Sequence, residues 1–164
     1  MEREAGPLVA RDAGALQHLV RRSVEIKAEV VSEDEREGGR RAILNAGHTV
    51  AHALERATEY RVPHGEAVGL GLVAETALAT GLGLATPEAG ARVVVLLERL
   101  GLPTRMREPV ASERLLAAMG SDKKNRGRGI RFALPRGVGA MGPGPDWTTE
   151  AGEPAIRAAL RAIS

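Results

Sequence analysis

Three aromatic side chains in 164 residues, Tyr60, Phe132 and Trp147, leave this chain to build its core from Ala, Leu and Val. Sheet cores draw on aromatic and β-branched residues, whereas Ala and Leu favour helices and let them pack closely. The composition therefore predicts a mainly α fold. The length allows one domain, 1–164, with one sizeable core. Hydrophobic residues at 43% and charged residues at 27% exclude a fully disordered chain. Lys plus Arg number 23 against 21 Asp plus Glu, a formal charge of +2, which is too even a balance for a general nucleic-acid binder. The scarcity of aromatics also removes stacking platforms for single strands. With no cysteine, disulfides, cysteinyl zinc sites, iron–sulfur clusters and thiol nucleophiles are all excluded. The longest apolar stretch, Ala67 to Ala85, carries Glu75 and four glycines and reads as a buried core helix, not a membrane span. The opening MEREAGPLVARD has no apolar segment behind a basic one, so no secretory signal is expected and the cytoplasm is the default location.

Asp12 is placed to cap a first helix over 12–31, because Leu16, Leu19, Val20, Val24, Val30 and Val31 recur at three- and four-residue spacing. SEDEREGGR, 32–40, is a polar loop, and a second helix is expected over 40–57. Pro63 ends the interruption after it, and 64–82 is helical and rich in glycine and alanine. Each helical glycine costs up to about 1 kcal/mol relative to alanine, so something is expected to approach this backbone closely. Thr86-Pro87-Glu88 starts another helix, which Gly101 and Pro103 end. A short helix runs from Ser112 to Gly120, followed by a polar loop, a strand over 130–134, a glycine- and proline-rich loop over 137–145, and a last helix over 149–163. The sum is mainly α with at most a short β-hairpin near 130.

On a continuous helix over 40–57, at about 100° per residue, Arg41, Asn45, His48 and His52 fall within an arc of roughly 60°. Ile43, Ala46, Val50 and Leu54 occupy the opposite face. Solvated faces usually draw on Glu, Lys and Gln, so Arg, Asn and two His on one stripe point to a site. His48, His52 and His64 lie within 17 residues. Imidazole is the commonest transition-metal ligand, but the glutamate of a His-Glu-x-x-His motif is missing, and the residues alone leave metal binding open. Lys27 and the pair Lys123-Lys124 are candidates to receive an anionic substrate, against an ordinary reading as surface lysines.

The run Lys27-Ala28-Glu29-Val30-Val31, then Asp34 to Arg41, then Leu44-Asn45-Ala46-Gly47-His48-Thr49 with His52-Ala53-Leu54-Glu55, resembles the C-terminal half of the 3-dehydroquinate synthase family. His64-Gly65-Glu66-Ala67-Val68 and Asp122-Lys123-Lys124 continue the match in order, and the resemblance spans about residues 8 to 140. Ala51 departs from it, where the family usually has Gly. The resemblance implies a multi-helix C-terminal domain of a lyase that converts 3-deoxy-D-arabino-heptulosonate 7-phosphate, a phosphorylated keto acid, into 3-dehydroquinate and phosphate. The cofactors it implies are NAD and zinc or cobalt. By matching positions, His48 and His64 are metal ligands, and His52, Glu37 and Lys27 are catalytic. The same matching implies that Arg41, Asn45 and one or both of Lys123 and Lys124 bind substrate.

The family's N-terminal NAD-binding domain, with its glycine-rich phosphate loop, has no counterpart in the sequence. Nor do a third zinc ligand, which is a glutamate, and an active-site lysine near it, and Glu37 and Glu66 are the substitutes this chain offers. The expectation is a metal- and substrate-binding half, inactive alone, that is either a fragment or one half of a split enzyme with a separate NAD-binding domain, the complete enzyme being a homodimer. Another sugar-phosphate cyclase, such as a 2-deoxy-scyllo-inosose synthase-like protein, and a non-catalytic interaction domain are the rival readings.

Overall fold

Seven α-helices and four short strands are seen in the computed structural model, which describes residues 1–36, 39–120, 129–141 and 147–164. The helices are α1 (Ala5–Val9), α2 (Ala13–Glu33), α3 (His48–Ala57), α4 (His64–Gly81), α5 (Pro87–Arg99), α6 (Ser112–Gly120) and α7 (Glu153–Leu160). The chain is mainly α, as its composition predicts. Asp12 caps α2, its Oδ1 accepting from the Ala15 N–H at 2.8 Å. Thr86 precedes α5, with Pro87 in its first turn. No helix among the described residues is long and apolar enough to cross a membrane.

Helix α4 forms the centre, packed by α3, α5 and α7. It is apolar nearly all round, as expected of a helix covered on every side: Ala67, Leu70, Val73, Ala74, Leu78 and Ala79 are all buried. Each buried Leu or Val contributes about 1.5–3 kcal/mol of transfer free energy. The core it organises also takes in Phe132, Leu134, Ile156, Leu160 and Ile163. The close approach that the glycines call for is present. A Cβ on Gly71 would lie 1.9 Å from the carbonyl oxygen of Gly47, so the chain just before α3 rests directly on the backbone of α4.

That contact overturns the continuous second helix. Arg40–Asn45 forms a 3-10 turn, the chain breaks at Ala46 and Gly47, and α3 begins afresh at His48. Gly47 sits at φ +80, a left-handed conformation that a helix interior cannot hold. The 3-10 turn has its own anchor: Asp34 Oδ2 accepts from the N–H groups of Gly39 at 2.8 Å and Arg41 at 2.9 Å.

Other expectations change as well. Strand β1 (Ile130–Phe132) is shorter than 130–134 and pairs antiparallel with β4 (Thr149–Ala151), while β2 (Pro135–Gly137) and β3 (Ala140–Met141) form a small hairpin. In place of one hairpin near 130 there are two antiparallel pairs. The last helix therefore starts at Glu153, behind a strand whose register sets Ile130 opposite Ala151, and a 3-10 turn over Arg161–Ile163 ends it. The apolar positions of α2 are also largely unburied. Val30 is 2% exposed, but Leu16, Val20 and Val24 are 39%, 61% and 62% exposed.

Glu75, at the middle of α4, is fully buried. Burial pushes its carboxyl up to about 8, against the pull of backbone N–H groups of Gly47, Val50 and Thr49.

Two outcomes follow from this packing. Gly71→Ala should destabilise the chain by about 3 kcal/mol or more, because backbone must move. Gly81→Ala, with nothing within 4 Å of the added carbon, should be neutral or stabilising by up to about 1 kcal/mol. Urea melts of the two variants check this, and equal effects would contradict the backbone contact. The second outcome concerns pH. A carboxyl near 8 when folded and near 4.5 when unfolded retains a proton that the unfolded chain releases. Its contribution to stability is full below about pH 4.5, shrinks as pH rises, and is gone above about pH 8. Urea unfolding across that window should show a slope that Glu75→Gln flattens, and an unchanged slope would contradict the assignment.

Candidate metal and substrate site

The backbone break at Gly47 and the turn between α3 and α4 bring three imidazoles together. His48 opens α3, His52 stands one turn further on, and His64 opens α4. The ring centroids form a triangle with sides of 5.6 Å (His48 to His52), 5.5 Å (His48 to His64) and 6.4 Å (His52 to His64). The return is tight. Thr58 Oγ1 donates to the Leu54 carbonyl at 2.7 Å, and Glu59 and Tyr60 both take left-handed φ values, 53° and 59°.

Two of the imidazoles are oriented by oxygen atoms that can only accept. His48 Nδ1 lies 3.1 Å from the Ala46 carbonyl, and His64 Nδ1 lies 2.9 Å from Glu55 Oε1. Each Nδ1 is therefore placed to donate, and in that tautomer of the neutral ring Nε2 keeps its lone pair. Metal-binding histidines are commonly arranged in this way, with the second ring nitrogen donating to a carbonyl or carboxylate. The donor chemistry fits a divalent transition metal. Glu55, which the sequence alone assigns no role, is the carboxylate that orients His64. Its spacing was the available signal, because His48, His52 and Glu55 at offsets 0, 4 and 7 share one face of α3.

The remaining candidates are distributed unevenly. Arg41 and Asn45 sit on the 3-10 turn, so the single stripe expected over 40–57 is interrupted. Arg41 Nη1 donates to the Glu35 carbonyl at 3.2 Å, and Asn45 is exposed at the end of the turn. Lys27 is exposed on α2. The 3-10 turn packs on α2, where Arg40 pairs with Glu33 and lies 3.6 Å from Glu29. Glu37, Lys123 and Lys124 lie outside the described residues. Glu66, one of the two substitute ligands, has its carboxylate 3.7 Å from the Arg107 guanidinium. Among the described residues no group of three or more His, Asp or Glu side chains is arranged to hold a metal ion.

A separate cavity of about 320 Å³ lies between α3, α4 and the segment after α5, floored by Leu54, Val62, Leu70 and Met106. The guanidiniums at its rim are engaged, Arg61 with Glu108 at 3.5 Å and Arg105 with the Ser164 carbonyl at 2.7 Å. The histidine cluster remains the stronger site for anionic chemistry with a metal.

Known proteins share both fold and sequence with this chain. The C-terminal family model of 3-dehydroquinate synthase matches residues 1–125. A 3-dehydroquinate synthase of Gloeobacter violaceus is 49% identical over 140 residues, and one of Rhodospirillum rubrum is 47% identical over 146. Each alignment covers 85% of this chain but only 39% and 38% of the relative, so the chain spans well under half the length of these proteins. Among solved structures, a 2-deoxy-scyllo-inosose synthase complexed with carbaglucose-6-phosphate, NAD+ and Co2+ superposes with a TM-score of 0.76 at 22% identity, over 85% of this chain and 40% of that one. The 2-epi-5-epi-valiolone synthase of Streptomyces hygroscopicus, with NAD+ and Zn2+ bound, gives 0.74 at 24% identity, over 96% of this chain and 44% of that one. At those identities the likeness is one of fold, whereas the family match and the near-half identity are of sequence: this chain belongs to the 3-dehydroquinate synthase family, as a C-terminal domain.

Proposed function

We propose that this chain is the metal- and substrate-binding part of a 3-dehydroquinate synthase, and that it works with an NAD-binding domain to convert 3-deoxy-D-arabino-heptulosonate 7-phosphate into 3-dehydroquinate and phosphate. The observation that carries the reading is the pair His48 and His64, each with Nδ1 tied to an oxygen acceptor and Nε2 left free. His48 and His64 hold the metal, zinc or cobalt, with a third ligand from Glu37, Glu66 or a residue of the companion domain. The metal supplies Lewis acidity to the reacting hydroxyl, and NAD supplies reversible oxidation.

This chain's own residues orient the substrate and move its protons. Arg41 pairs with a carboxylate, and Asn45 donates from the same turn to a phosphate oxygen. Lys27, across the packed interface of that turn with α2, and Lys123 and Lys124 add positive charge for the two anionic ends. His52 stands beside both metal-binding imidazoles, and an imidazole there is suited to shuttle protons at neutral pH as the substrate is oxidised and rearranged. Glu37 shares the acid–base work. Near-half identity to 3-dehydroquinate synthases, against 22% for the inosose synthase, favours this substrate over that of another cyclase.

The exposed Leu16, Val20 and Val24 on α2, the helix that carries Lys27, support a companion domain closing over this side. The complete assembly is read as a cytoplasmic homodimer acting on a small phosphorylated keto acid, with no role for nucleic acid or membrane.

Alone, the chain should neither bind NAD nor release phosphate from the heptulosonate phosphate. Adding a separately expressed NAD-binding domain of a relative, with zinc and NAD, should restore phosphate release. In the restored system His52→Ala and Arg41→Ala should each lower kcat by about 100-fold or more while circular dichroism is unchanged. Turnover by the lone chain at about 1 per second or faster would contradict the proposal.

A further inference from the structure

Helix α3 has no cap of its own. The residue before it, Gly47, carries no side chain to accept from the free N–H groups of the first turn. Those donors are met from another helix. Glu75 Oε2 accepts from the Gly47 N–H at 2.7 Å, Oε1 accepts from the Val50 N–H at 3.2 Å, and the Thr49 N–H bonds to the same carboxyl. Glu75 is 0% exposed in a helix whose other buried residues, Thr76 apart, are Ala, Gly, Leu and Val. Burying a carboxyl there is costly unless its hydrogen bonds are made, and Gly47, Thr49 and Val50, which supply them, all belong to the segment that opens α3.

The Ala46–Gly47 peptide links that carboxyl to the site. The unit is planar, so its N–H and its C=O move together. The N–H donates to Glu75 and the C=O accepts from His48 Nδ1. The run is continuous from Glu75 through one peptide to the imidazole, and each bond polarises the next. We propose that Glu75 is a positioning residue of the site: by capping α3 from α4 it fixes the Ala46–Gly47 peptide, which in turn holds the proton of His48 on Nδ1 and leaves Nε2 free. The proposal rests on the metal-ligand reading of His48 for its purpose, and on geometry alone for its truth.

The test uses the whole chain, labelled with 15N and free of metal, above about pH 8, where the Glu75 carboxyl is ionised and both of its oxygens accept. Long-range 1H–15N spectra should show His48 as the Nδ1–H tautomer in the wild type. In Glu75→Gln the side-chain carbonyl accepts from one backbone N–H while the amide NH2 faces the other, so the His48 ring nitrogens should shift toward the Nε2–H form. His64, held by Glu55, should not change. A folded Glu75→Gln chain whose His48 keeps Nδ1–H, or a wild type with His48 as Nε2–H, overturns the proposal. If Glu75→Gln fails to fold by circular dichroism, wild-type hydrogen exchange decides. The Gly47 and Val50 amides should be protected as strongly as those of Leu70 and Leu78 on α4, and rapid exchange overturns the cap. A zinc titration of the same samples separates the two readings: a tautomer that depends on Glu75 in a chain whose His48→Ala variant binds zinc as well as wild type keeps the positioning and removes the metal role.

Discussion

The backbone contact between Gly47 and Gly71 decides where every other part of the site can be. A side chain on Gly71 would push the two segments apart, and a residue other than glycine would be strained at the left-handed φ of position 47. With glycine at both, the chain before α3 lies on the most buried helix of the fold. His48 thereby becomes the first residue of a new helix instead of a mid-helix residue. The return through Thr58 to Pro63 then sets His64 beside it. Close packing and hydrogen bonding act on the same residue, because Gly47, whose carbonyl lies against Gly71 of α4, also donates its N–H to Glu75.

From that anchor the chemistry follows in order of burial. The backbone and the Glu75 carboxyl are fully enclosed, His48 is half-buried, and His52 and His64 face outward. A gradient of this kind lets the inner residues fix geometry and the outer ones meet a ligand. Each of the two oriented imidazoles uses one nitrogen internally and offers the other, which suits a metal that takes neutral nitrogen donors. The anion-binding candidates Lys27 and Arg41 come from a different pair of elements, α2 and the 3-10 turn, joined by Asp34 and Arg40. Their side lies next to the apolar residues of α2 that the described chain leaves exposed.

Much of this was legible in the sequence where the signal is local. Asp12 announces the start of α2, and Thr86-Pro87 announces α5, because capping and proline preferences act within a few residues. The crowding of Gly and Ala in α4 correctly marked a close backbone approach, although not which segment approaches. Long-range causes were not legible. The break at Gly47 needs a contact 24 positions away in sequence, so periodicity ran the helix from 40 straight through to 57. Thr149 to Ala151 read as helix because their pairing with Ile130 to Phe132 is set by tertiary structure. The three histidines were found by clustering alone, but their orienting partners, the Ala46 carbonyl and Glu55, emerge only once α3 begins at His48. Glu75 was visible as an acid in an apolar run, and its function as a cap was not.

The central claim is that His48 and His64 hold one metal ion through Nε2. Anomalous diffraction at the zinc edge, on crystals of the chain with its restored NAD-binding domain, tests it most directly. The account predicts a zinc peak about 2.0–2.1 Å from Nε2 of both histidines. A zinc ion bound through Nδ1 of either ring, or one lying away from the histidine cluster, would contradict it.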